Sequence, residues 1–166
     1  MPWSRAPDPP DPKYFAPTSI MLASEGSRIP PAAVDFAARL AKKARAPVHV
    51  FIVARIWGSA FGLPHPGLMP TKHEWQLQRE LVTEAVDRLK RRNIEASGQV
   101  VSTRNAARRI VAEAKRRKNE AIVMGAEPAR HWLIADLIWS QEPYRVRRLA
   151  EIPVYLVILA QPAVPR

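Results

Sequence analysis

The chain has 166 residues, which suits one domain with its own core and is too short for two comfortable ones. Lys and Arg number 26 against 15 Asp and Glu, giving a formal net charge of +11, and cysteine is absent. Disulfides, thiolate metal centres and a cysteine nucleophile are therefore excluded, and no apolar run approaches the roughly 18 residues of a membrane span.

Residues 1–17 read as a Pro-rich N-terminal tail. Pro2, Pro7, Pro9, Pro10, Pro12 and Pro17 deny it regular hydrogen bonding, so an extended, polyproline-like course is expected. Its start, MPWSRAPDPPDPK, has no apolar stretch, so no secretory leader and a cytoplasmic location are expected. Trp3, Tyr14 and Phe15 interleave the prolines, either docking on the chain's own surface or serving a partner.

From residue 18 to 159 the pattern alternates, and residues 160–166 form a loose C-terminal tail. Residues 19–24 (SIMLAS) read as a buried strand. Residues 31–45 place Ala33, Phe36, Ala37, Leu40, Ala41 and Ala44 at helical spacing. Residues 48–56 (VHVFIVARI) are rich in β-branched side chains and read as a second strand. A Gly- and Pro-rich loop over 57–70 precedes a long helix over 72–92, with Leu81, Val82, Ala85, Val86 and Leu89 on one face. Residues 95–103 form a third strand, weakened by Gly98. Asn105 can cap a third helix with Ala107, Ile110, Val111 and Ala114 inward. Residues 121–125 (AIVMG) read as a fourth strand, 140–150 as a fourth helix and 154–159 (VYLVIL) as a final strand.

The predicted order βαβαβαβαβ implies an α/β fold. Right-handed crossovers then give a parallel sheet with helices on both faces and a ligand cleft beyond the carboxyl ends of the strands.

Three segments, in this order, resemble the universal stress protein family. IMLASEGS (20–27) is similar to its first strand and loop, AIVMG (121–125) to its fourth strand, and IPVYLV (152–157) to its final strand. The resemblance spans residues 18–159. It implies a single five-stranded parallel sheet of order 3-2-1-4-5, universal-stress-protein or adenine-nucleotide-alpha-hydrolase-like. It also implies a homodimer through the last strand (Val154, Tyr155, Leu156, Val157 and Ile158) and, in many members, ATP or AMP between strands one and four. On that resemblance the candidate nucleotide-binding residues are Ala23, Ser24, Glu25, Val53, Met124, Gly125, Arg130, Ser140 and Gln141.

The family's phosphate motif is only partly present. Members that bind nucleotides carry G-x2-G-x9-G-[ST], because glycines let backbone N–H groups approach phosphates and the last pair opens a helix whose N-terminus favours anions. Here Gly125 is followed by Pro128, which has no N–H to donate, and by Trp139–Ser140, one residue late. Pro143 removes another amide, and Glu127, Asp136 and Glu142 add negative charge. Glu25 stands where the family's Asp meets the nucleotide. In the bland alternative, Glu25 is a loop acid and Ser140 a helix cap.

The sequence thus predicts a non-catalytic regulatory or interaction protein with a degenerate or remodelled nucleotide site. The alternative is a small-molecule sensor that binds ATP or AMP. No phosphate-loop motif and no nucleophile elbow is present, and His49, His65, His73 and His131 share no ligand spacing, so neither an enzyme nor a metal site is expected.

Lys42 and Lys43, Arg91 and Arg92, and Arg116 and Arg117 end the first three helices. Cations there complement the helix dipoles. In this architecture they also share one end of the sheet, so a basic face is predicted, suited to an acidic protein, ribosome or nucleic-acid partner. Residues 131–139 (HWLIADLIW) are unusually apolar for a loop and suit either packing against the body or a protein contact.

Overall fold

The structure is a computed structural model, and it describes residues 8–55, 71–127 and 142–159. Trp3, the 57–70 loop, Pro128, Arg130, residues 131–139, Ser140, Gln141 and the C-terminal tail lie outside the described residues.

The described elements run β1 (Ile20–Ser24), α1 (Pro31–Ala44), β2 (Val48–Arg55), α2 (Lys72–Lys90), β3 (Ala96–Thr103), α3 (Ala106–Arg116), β4 (Ala121–Ala126), α4 (Glu142–Leu149) and β5 (Val154–Ile158). The five strands form one sheet of order β3-β2-β1-β4-β5, and every pairing is parallel. This is the predicted fold, with boundaries shifted by one or two residues where helix and strand ends fray.

Side-chain alternation splits the interior into two layers. Leu22, Val50, Ile52 and Val123 face α1 and α2, where they meet Ala33, Ala37, Leu40, Val82 and Leu89. Met21, Ala23, Phe51, Val53, Ile122 and Met124 face the other way, against Ala107, Ile110 and Ala114 of α3 and Val146 of α4. All five residues of β1 are buried, as a central parallel strand covered on both faces requires.

Local chemistry sets the helix ends. Thr71 and Glu74 form a reciprocal capping box at α2: Thr71 Oγ1 accepts from Glu74 N (3.2 Å) and Glu74 Oε2 from Thr71 N (2.6 Å). Asn105 caps α3 by accepting from Arg108 N at 3.2 Å, as its sequence position predicts. Gly98 proves to be a packing feature of β3. A Cβ there would collide with Val82 Cγ1 and lie 3.0 Å from Val86 Cγ2, so the missing side chain lets α2 sit close to the sheet.

The N-terminal segment is less extended than its prolines suggest. Asp11 accepts from Lys13 N (2.8 Å, through Oδ1) and from Tyr14 N (2.9 Å, through its carbonyl), closing a turn. Phe15 packs on the core while Tyr14 stays 78% exposed, so of the two described aromatics one docks and one does not. Among the described residues no helix is long and apolar enough to cross a membrane.

Candidate functional site

In an open parallel sheet the loops diverge where the strand order reverses, which here is between β1 and β4. The register sets Ala23 beside Phe51 and Met124, so Ser24, Glu25, Val53 and Gly125 fall at the same carboxyl end. Six of the nine predicted site residues are therefore brought together by the strands; Arg130, Ser140 and Gln141 lie outside the described residues.

Their surroundings differ. Ala23, Val53 and Met124 are almost completely buried in the layer facing α3 and α4, where they act as core. Ser24 is buried too: its Oγ donates to Ser27 O at 2.6 Å and lies 3.3 Å from Ser27 Oγ, which folds the β1–α1 loop back on itself. Gly26 makes that fold possible with a φ of 98°, a conformation that side chains resist. Gln78 of α2 steadies it by donating from Nε2 to Gly26 O at 3.0 Å. Glu25 is half-buried in this loop.

Gly125 has a packing reason to be glycine. A Cβ there would come within 2.7 Å of Pro30 Cγ and 2.8 Å of Pro30 Cδ, so the ring that opens α1 fills the space a side chain would take. The glycine that begins the motif serves the joint between β4 and α1.

The helix termini at this end carry their own anion. Glu142, 3% exposed, accepts from the backbone N–H of Ala107 through Oε2 (3.0 Å) and from Arg145 Nη1 through Oε1 (3.0 Å). A carboxylate thus occupies the first turn of α3, the position that attracts negative charge through its unpaired N–H groups and dipole. Tyr144 donates its hydroxyl to Glu127 O at 2.6 Å, tying α4 to the end of β4. Sequence reading marked Glu142 as added negative charge. It missed the cap, which spans two helices 35 residues apart and leaves no local signal.

A second polar cluster lies at the opposite end of the sheet. Glu113 is fully buried, and Arg116 and Arg117 hold it (Arg116 Nε to Oε2 3.0 Å, Arg117 Nε to Oε1 2.8 Å), with Arg109 Nη2 3.7 Å away. The Arg116 hydrogen bond is the main cause that draws the Glu113 carboxyl down to about 2. Nearby, His49 Nδ1 lies 2.9 Å from Ser97 Oγ, and burial, aided by the charge of Arg117, lowers the imidazole to about 4. Its charge keeps Glu113 out of the stripe read from the sequence, although its spacing, three residues after Ile110, is that of the buried face.

The predicted basic residues are all exposed, but most have local duties. Arg116 and Arg117 hold Glu113, Arg92 pairs with Asp35 at 2.6 Å, and Lys43 donates to Pro12 O at 3.0 Å. Lys42 and Arg91 make no such contact among the described residues.

Comparison with known proteins fits this geometry. The family model described as the universal stress protein family matches residues 18–157. Among solved structures, a universal stress protein from Archaeoglobus fulgidus is 21% identical, with 84% of this chain and 98% of that one covered at a TM-score of 0.63. One from Burkholderia pseudomallei is also 21% identical, covering 84% and 95%, at 0.61. A universal stress protein in complex with cAMP is 18% identical, covering 86% and 98%, at 0.61. Another from Archaeoglobus fulgidus, in complex with dAMP, is 18% identical, covering 86% and 99%, at 0.59. No curated protein matches the chain in sequence. With the family match spanning nearly the whole alternating region, and with the strand order it requires, this chain belongs to the universal stress protein family.

Proposed function

We propose that the chain is a non-catalytic regulatory or interaction protein whose nucleotide site is lost or rebuilt. The observation that carries this reading is Glu142. A buried carboxylate at the start of α4, already engaged with the N-terminus of α3, puts negative charge where a phosphate would need donors. Pro128 and Trp139, which deny the loop amides and close backbone approach, support the same conclusion from sequence. Isothermal titration calorimetry with Mg-ATP, ADP, AMP and cAMP tests it. The expected outcome is no heat of binding at micromolar ligand; micromolar affinity for ATP overturns the reading.

A sensor that binds ATP or AMP in the cleft is the second reading. Its support is that two solved relatives hold cAMP and dAMP. Arg130, Ser140 and Gln141 would then contact the nucleotide beside Glu25.

Two surfaces belong to the first reading. One is the basic face of Lys42, Lys43, Arg91, Arg92, Arg116 and Arg117, suited to a phosphate-rich or acidic partner. Filter retention of total RNA should be measurable at low salt and fall steeply as salt rises; no retention at low salt ends that assignment. The other is β5, an uncharged edge strand through which a second copy can pair.

A further inference from the structure

The strand at one edge of a sheet presents unpaired backbone groups, and proteins usually blunt such an edge with charge, a bulge or a cover. β5 is such an edge, and residues 152–159 (IPVYLVIL) contain no charged side chain. Leu156 and Val157 are half-buried and Ile158 is 51% exposed. Protection must come from outside the strand.

It comes from residues 8–15. Asp8 pairs with Arg147 of α4, in the layer on one face of the sheet. Two residues on, the Pro10 carbonyl accepts from Tyr155 Oη at 2.8 Å, on β5 itself. The carbonyls of Pro12 and Lys13 then accept from Lys43 Nζ of α1, in the layer on the other face. Phe15 completes the path, its ring 6.3 Å from that of Tyr155. The segment therefore crosses the edge of the sheet from the α4 side to the α1 side. It bridges a cavity of about 290 Å³ whose lining includes Asp8, Pro9, Pro12, Tyr144, Arg147 and Leu156.

The crossing segment cannot act as a sixth strand. Pro9, Pro10 and Pro12 have no N–H, and among the described residues no backbone hydrogen bond joins the segment to β5. It obstructs the edge with side chains and carbonyls and leaves the strand's outward backbone groups intact. Of its three fasteners, the Asp8–Arg147 ion pair and the Lys43 ammonium lie at the surface, where such contacts hold only weakly, and the hydroxyl of the buried Tyr155 adds a single hydrogen bond.

We propose that residues 8–12 are a releasable strap, and that the strap competes with a second copy of this chain for the β5 edge. The inference rests on the reading of β5 as a self-pairing edge. While the strap lies across the strand, a partner strand about 4.8 Å away would have to pass through it. Released, β5 offers an uncharged, self-complementary ladder to another β5.

Sedimentation equilibrium over a concentration series tests this on three chains: the full chain, a chain lacking residues 1–12 that keeps Phe15, and Asp8→Arg in the full chain. The full chain should be mainly monomeric. The truncated chain should dimerise at least tenfold more tightly, and Asp8→Arg should shift the equilibrium the same way by a few-fold. Adding Arg147→Asp to Asp8→Arg should restore the monomer, and Ile158→Lys in the truncated chain should abolish the dimer. Thermal melts confirm that each chain is folded. If all three chains dimerise equally, or either variant fails to shift, the strap is overturned. If none self-associates, or if the dimer survives Ile158→Lys, the pairing edge itself is overturned.

Discussion

A methyl group added at Gly125 would press on the Pro30 ring at 2.7 Å, closer than carbon atoms approach without displacement. Overpacking of this kind costs typically about 1–3 kcal/mol. Gly125→Ala should therefore lower the urea midpoint, and Pro30→Ala in the same chain should recover part of the loss. An unchanged midpoint in Gly125→Ala would mean that Pro30 yields freely and that packing does not explain the glycine. Glu142 makes a related point. Its carboxylate meets an N–H of one helix and an arginine of its own, so it is part of the α3–α4 joint.

At the scale of elements, the two edges of the sheet are handled differently. β3 ends the sheet on one side, and its exposed start, Ser97 and Gly98, lies beside α2 and the His49 ring. β5 ends it on the other and borrows its cover from the N-terminal segment. α2 is anchored along only part of its length: Val82, Ala85 and Leu89 are buried, while no residue from 72 to 81 is. The capping box at Thr71 and Glu74 therefore secures a turn with little packing of its own.

At the scale of the whole molecule, acid should lower the stability of this protein in two stages. His49 is held at about 4 in the fold against 6.5 when unfolded. As pH falls from 6.5 towards 4, the unfolded chain takes up a proton that the native chain refuses, so stability declines. The loss is roughly 3 kcal/mol over that window. Glu113 follows: lowered from 4.5 to about 2, it contributes stability that is complete above 4.5 and lost as pH falls towards 2. Urea titrations at pH 7, 5.5 and 4.5 should show the first stage, and His49→Gln should flatten it. An equal pH slope in wild type and His49→Gln would remove His49 as its cause.

Periodicity was enough to determine the nine described elements and their alternation, because a 3.6-residue stripe and short β-branched runs are local properties of the chain, and the crossover rule then gave the parallel sheet. The strand order came from the resemblance carried by residues 20–27, 121–125 and 152–157, and the structure bears it out. Asn105 was legible as a cap for the same local reason. Gly98, Gly125 and Glu142 were not, since each owes its role to an atom brought from a distant part of the chain: Val82, Pro30 and Ala107. The course of residues 8–15 over β5 belongs to the same class. Proline explains why that segment forms no strand, but only the packed surface of Tyr155, Lys43 and Arg147 decides where it lies, because those three groups converge from separate elements once the sheet has formed.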